Sequence, residues 1–193
     1  GGGDQTRVYG HSNSQPVVLS EYSTLTMEQC YVLFNEGKAL GGNASRISLT
    51  DCLIAQCDTG GEFFKCVTRV AGSHIMDIPN DDGVFVDDDN DGFYFNNVPD
   101  SQEETVVTDC FFMTGKDDAI DHNGARVRIL NCWIEDFEHE GIAASSGDTL
   151  RVDNTVIIGC EQGVEAGYGS PQVFVDHCVI AGNDVGIRFG DSY

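Results

Sequence analysis

The sequence predicts an all-β fold: a single-stranded parallel β-helix, a solenoid of about seven coils of 22–23 residues. Three observations predict it. First, one column of residues recurs along the chain, at Cys30, Cys52, His74, Cys110, Cys132, Thr155 and Cys178, with successive spacings of 22, 22, 36, 22, 23 and 23 residues. Second, each is followed two positions on by a large apolar residue (Val32, Ile54, Met76, Phe112, Ile134, Ile157, Ile180). A small residue follows nine positions on, or eight in the last two coils: Ala39, Gly61, Gly83, Ala119, Gly141, Gly163 and Gly186. Third, segments such as Val127-Arg128-Ile129-Leu130 and Val173-Phe174-Val175-Asp176 alternate apolar with polar, which is strand periodicity. Self-similarity at a fixed period of this length signifies stacked repeats.

The elements follow in order. Residues 1–23 are read as an N-terminal segment or cap, with Val17-Val18-Leu19 as an alternative further strand. Residues 24–193 form the β-helix, three short strands to a coil. The first strand of a coil carries Met27, Leu49, Val107, Ile129, Val152 or Val175 three positions before the column. The last strand opens on Leu40, Val84, Ile120, Ile142, Val164 or Ile187, and the second coil breaks the rule with Glu62. Coils stacked about 4.8 Å apart give a rod roughly 34 Å long. The third coil is longer than the others, which places an Asp-rich loop insertion near residues 87–105. The last coil closes after Arg188-Phe189-Gly190 with no polar cap, so the chain is expected to be part of a longer solenoid or to have its ends covered by another subunit. The opening Gly-Gly-Gly reads as that of a processed product.

The chain has 193 residues and a formal net charge of −22, with 32 acidic against 10 basic side chains. Such a surface excludes nucleic acid as a partner, because phosphate recognition needs cationic side chains. No apolar run is long enough to span a membrane as a helix. Eight cysteines point to an oxidising compartment, and a secreted, extracellular or cell-surface location is expected. Cys110 and Cys132 on adjacent coils allow a strained bridge, Cys57, Cys66 and Cys160 lie off the column as bridge candidates, and a stack of buried free thiols is the alternative. Asn43-Ala44-Ser45 is an N-glycosylation sequon in a turn between strands.

Stacking gathers acids. The residues before the small position read Asn80-Asp81-Asp82, Lys116-Asp117-Asp118 and Glu138-His139-Glu140. Asp82, Asp118 and Glu140 therefore fall on consecutive coils, with Asp81, Asp117, His139 and Glu161 in a parallel line. Like charges this close raise one another's pKa unless a cation or a proton intervenes. Three readings are open: a solvated turn, a Ca²⁺ site including Asp118 and Glu140, or a catalytic carboxylate set. The Asp87-Asp88-Asp89-Asn90-Asp91-Gly92 run matches the start of a Ca²⁺ loop through Asp87, Asp89 and Asp91. The twelfth position, where such a loop closes on an acid, is Val98.

The repeat resembles the right-handed parallel β-helix superfamily that includes pectate lyases, polygalacturonases and many secreted repeat proteins. Asn80-Asp81-Asp82-Gly83, Gly115-Lys116-Asp117-Asp118-Ala119 and His139-Glu140-Gly141 are similar to the polygalacturonase motifs Asn-Thr-Asp-Gly, Gly-Asp-Asp-Cys and Gly-His-Gly. The resemblance implies that Asp82, Asp117 and Asp118 protonate a leaving oxygen and activate water, with His139 in support. This chain departs from the pattern by Glu140 between His139 and Gly141, and by Glu165 on the following coil, where that family carries a base.

The residue after each column position faces outward. Tyr31, Leu53, Phe111, Trp133, Val156 and Val179 form an apolar stripe, read as an interface covered by the chain itself or by a neighbouring subunit. The expected role is a rigid structural or adhesive element of an extracellular fibre or surface assembly, self-associating through its stripe or its ends, with Ca²⁺ bound. A polysaccharide-degrading hydrolase or lyase is the alternative, and a non-catalytic glycan-binding module the third reading.

Overall fold

The computed structural model of the chain describes residues 6–9 as backbone, and residues 15–78 and 90–190 in full. They form an all-β parallel solenoid with no helix among them. One face is a seven-stranded sheet of Thr24–Glu28, Arg46–Thr50, Val67–Ala71, Thr105–Thr108, Val127–Leu130, Thr149–Asp153 and Gln172–Asp176. The second and third faces belong to one fourteen-stranded sheet, because Cys30–Asn43 and Leu53–Phe64 run along the second face and bend onto the third. Every strand pair is parallel and in register with the same position one coil away, save for a bulge between Asn35 and Lys38 where Cys30–Asn43 pairs with Leu53–Phe64. Thr6–Tyr9 and Val18–Glu21 pair with Cys30–Asn43 on the second and third faces, so the N-terminal segment contributes strands of a further coil.

The core is a stack of inward columns, because successive side chains of a strand point to opposite faces. The first face supplies Met27, Leu49, Val70, Val107, Ile129, Val152 and Val175 in register. The second supplies Val32, Ile54, Ile75, Phe112, Ile134, Ile157 and Ile180. The third adds an aromatic cluster in which Phe63 stacks on Phe95 at 5.4 Å and meets Phe93 edge-on at 5.5 Å. All but Val175 and Ile180, the C-terminal members of the first two columns, are buried. In the last coil Phe174, Val179, Val185, Ile187 and Phe189 are exposed.

The pairing corrects the sequence register in the third coil. His74 lies opposite Leu53 and Phe111, on the outward row, and Ser73 fills the column. Ile75, not Met76, occupies the inward apolar position. Gly92 takes the small position expected of Gly83, since its N–H bonds the Asp118 carbonyl at 2.8 Å while Asp91 O accepts the Gly60 N–H at 2.9 Å. Phe93, opposite Gly61 in effect and opposite Ile120 by register, takes the place expected of Val84. The second-coil exception disappears as well: Gly60 is the small residue, and Glu62 faces outward opposite Tyr94. The regular strand Phe93–Asn96 lies within the expected 87–105 insertion, residues 97–104 connect it to Thr105–Thr108, and residues 87–89 lie outside the described residues.

Each corner turns through a residue in the left-handed region. The first corner uses Gln29, Asp51, Gly72, Asp109, Asn131, Asn154 and His177, with φ between 47° and 59°. Asp and Asn tolerate this conformation, and their side chains link coils: Asn154 Nδ2 donates to Asn131 Oδ1 at 2.7 Å, and Asn131 Nδ2 to Asp109 Oδ1 at 3.2 Å.

The column beside this corner has one physical job. Each member donates to the carbonyl two residues before it: Cys30 to Glu28, Cys52 to Thr50, Ser73 to Ala71, Cys110 to Thr108, Cys132 to Leu130, Thr155 to Asp153 and Cys178 to Asp176, at 3.0–3.4 Å. Ser73 Oγ also accepts the Cys52 N–H at 3.1 Å, and Thr155 Oγ1 the Cys132 N–H at 3.2 Å. The strand ends here, its backbone donors point inward, and a buried N–H must find an acceptor. Small side chains with a hydroxyl or thiol supply it, which is why Cys, Ser and Thr alternate and why His74 is excluded. Cys57, Cys66 and Cys160 do the same at the other corners, donating to Ala55, Phe64 and Ile158. All eight cysteines are free thiols. The bridges considered for Cys57, Cys66, Cys160 and the Cys110–Cys132 pair are therefore absent, and the cysteine count says nothing about compartment.

Candidate functional site

The corner between the second and third faces carries the acids. The register brings Lys38, Thr59, Asp91, Asp118, Glu140 and Gln162 into one ladder. Asp91 stands where the sequence register put Asp82; Asp82, Asp87 and Asp89 lie outside the described residues. The ladder is buried: Asp91, Asp118, Glu140 and Gln162 are each no more than 6 % exposed. It is also bonded to the backbone. Asp91 Oδ1 accepts the Asp118 N–H at 3.3 Å, and Asp118 Oδ1 accepts the Glu140 N–H at 2.9 Å. Gln162 Nε2 donates to Glu140 Oε1, and Gln162 Oε1 has no hydrogen-bond partner.

A second line runs beside the first. Asn90 Nδ2 donates to Asp58 Oδ1 at 2.9 Å, both residues buried, and Asn90 Oδ1 has no partner. On the following coils stand Asp117 and His139. The structure brings His139 against three acids at once: Nδ1 lies 3.1 Å from Asp117 Oδ1, 3.3 Å from Asp118 Oδ1, and in contact with Glu140 Oε2. His139 is about half exposed and Asp117 mostly covered, so the cluster opens to solvent on the imidazole side.

Electrostatics divides the roles. Burial pushes the Asp118 carboxyl well above its usual range; the His139 hydrogen bond opposes this, and Glu140 and Asp117 reinforce it. Burial also works against an ionised Glu140, but hydrogen bonds from His139, Asp118 and Gln162 together hold it below the usual range. Hydrogen bonds to Asp117, Asp118 and Glu140 hold His139 well above its ordinary value. The three shifts depend on one another, since each group has its neighbours in the cluster among the causes. Of the sequence-derived set, Asp117, Asp118, His139 and Glu140 converge here, and Asp91 joins as a ladder member. Gln162 was missed, because a neutral amide carries no sign in a search for ionisable groups.

A groove of about 820 Å³ lies alongside, lined by Phe34, Gln56, Asp77 and Thr114 of the second corner with Glu36, Asp58, Lys116 and Glu138. None of Asp117, Asp118, His139 or Glu140 lines it. At the sequon, Asn43 is half-buried and Ser45 is buried, its hydroxyl bonded to Ser20 O at 3.0 Å and Asn43 O at 2.9 Å.

The outward row of the second face is Tyr31, Leu53, His74, Phe111, Trp133, Val156 and Val179, all in register. His74 and Phe111 stack at 4.8 Å. Two residues along the strands lies a second outward row that sequence reading missed: Leu33, Ala55, Met76, Met113, Glu135, Ile158 and Ala181. Moving Met76 from the core to the surface completes it. Phe111, Trp133 and Val179 are 41 %, 37 % and 55 % exposed, so the described residues leave this face open.

A family model described as the right-handed beta helix region matches residues 65–193. No curated protein and no solved structure matches the chain.

Proposed function

The chain belongs to the right-handed β-helix family, and from that premise we propose that it is a rigid structural element of an extracellular or surface assembly, docking a second copy of itself through its second face. The observation that carries this is the pair of apolar rows. Fourteen positions on adjacent coils hold one carboxylate, Glu135, and one imidazole, His74. The chain carries a net charge of −22, which disfavours contact between copies through its acidic surfaces, and a nearly uncharged face is free of that repulsion. Seven coils of about 4.8 Å by strands of about 10–17 Å give roughly 340–570 Å² per copy, or about 700–1,100 Å² for a pair, the size of a small or transient interface.

Sedimentation of the purified chain tests the reading. The wild type is expected to associate at micromolar concentration, and Phe111→Glu with Trp133→Glu to sediment as a monomer with an unchanged circular dichroism spectrum. A monomeric wild type at high concentration would sink the proposal.

A second reading, a polysaccharide hydrolase, is favoured by the convergence of Asp117, Asp118 and His139. Against it stands burial. Glycosidase chemistry uses two carboxyl groups about 5–9.5 Å apart that flank a sugar, whereas Asp118 and Glu140 are buried and hold backbone and side-chain donors. Release of reducing sugar from polyuronides by the wild type, lost in Asp117→Asn, would establish the hydrolase instead.

A further inference from the structure

We propose that Asp117, Asp118, His139 and Glu140, with the Gln162 amide oxygen, bind one divalent transition cation of the Zn²⁺ or Mn²⁺ class. One ligand atom each of Asp117, Asp118 and His139 lie within 4.8 Å of one another, a span that a single ion fills. Glu140 Oε2 contacts the same imidazole nitrogen from below. The acids form a buried floor, and the half-exposed imidazole leaves one side for water, as in metal sites that keep an open position.

An independent feature points at the ion. Gln162 is 3 % exposed, and its amide is fixed against Glu140 by the Nε2 bond to Oε1. Its Oε1 is buried and accepts from nothing. Buried amide oxygens almost always have a partner, and a cation held by the neighbouring carboxylates would supply one. Asn90 Oδ1, one coil before Asp117 on the parallel line, is buried and unpartnered in the same way.

The donor set chooses the metal. Ca²⁺ takes six to eight oxygens and no imidazole. A mixed set of imidazole nitrogen and carboxylate oxygen suits Zn²⁺, Mn²⁺ or Fe²⁺. The proposal thus differs from the Ca²⁺ expectation for Asp118 and Glu140, which rested on carboxylates alone. The ion ties together three successive coils, those of Asp118, Glu140 and Gln162, at the corner nearest the groove.

The test is calorimetric titration of the full chain with Zn²⁺, and with Co²⁺ followed by its visible absorption, alongside excess Ca²⁺ and Mg²⁺. The wild type is expected to bind one equivalent, to melt at higher temperature when loaded, and to keep the metal against Ca²⁺. Asp117→Asn and His139→Gln are expected to bind about tenfold more weakly or worse, and Asp117→Asn, which keeps the shape of the side chain, to melt like the wild type without metal. Absence of binding, equal binding by both variants, or a sulfur-to-cobalt charge-transfer band placing the metal on thiols would each overturn the proposal.

Discussion

Thr155→Val tests what the cysteine column is for. Thr155 Oγ1 accepts the Cys132 N–H at 3.2 Å and donates to Asp153 O at 3.0 Å, and the residue is 1 % exposed. Valine has the same shape, so packing is preserved while both bonds vanish. A typical hydrogen bond contributes about 1 kcal/mol net, and a buried donor left without an acceptor costs about 1–3 kcal/mol. The loss is therefore about 3 kcal/mol. For a chain of this size each kcal/mol moves the midpoint by about 2–4 °C, hence by about 6–12 °C. Thr155→Cys restores the group found at Cys30, Cys52, Cys110 and Cys178 and is expected to cost no more than about 1 kcal/mol. Urea unfolding followed by circular dichroism measures both, with an unchanged slope showing that the same surface unfolds. If Thr155→Val melts with the wild type, or if Thr155→Cys falls as far, the column is selected by size alone and the hydrogen-bonding account is wrong.

The other predictions concern separate parts of the molecule. His122 is fully buried, neither ring nitrogen has a hydrogen-bond partner, and burial pushes its pKa below the ordinary value. The unfolded chain then takes up the proton first as pH falls through about 6.5, and stability drops by up to about 1.4 kcal/mol per pH unit until the folded state also titrates; His122→Leu should flatten that part of the stability–pH profile, and an unchanged profile would show that the imidazole is not buried neutral. Thiol titration of the denatured, unreduced protein should count all eight cysteines, and reductant should leave the melting temperature where it was; a lower count refutes the free-thiol corners. Gly141→Ala places a Cβ 2.5 Å from Ile157 Cγ2 and 2.8 Å from the Gly163 carbonyl oxygen, an overpacking expected to cost about 1–3 kcal/mol in the same urea assay.

The period, the three faces and the parity of the strands were legible from residue types, because stacking repeats every choice seven times. The third coil was not. A spacing of 22 from Cys52 pointed to His74, and only the need for a small hydrogen-bonding side chain at the corner singles out Ser73. The same slip chose Gly83 over Gly92 and so Asp82 over Asp91. The alternation Phe93-Tyr94-Phe95 downstream of Gly92, echoing Phe63 one coil earlier, was the available signal. In the site, stacking of Asp118 on Glu140 followed from spacing, but burial did not. Whether a turn acid faces water or accepts a backbone N–H depends on the local course of the chain, which composition does not record.

The length of the third coil also says how this architecture tolerates change. From Ser73 to Cys110 the chain travels 37 residues, against 22 from Cys110 to Cys132, yet Phe111 and Trp133 sit in the same row as His74. Lengthening a closed loop by less than a doubling costs only about 0.5 kcal/mol of chain entropy, far below what one buried apolar side chain contributes. Corners are therefore sites where segments can be inserted, exchanged or removed in evolution or by design, each loop varying on its own while the rungs beneath it keep count.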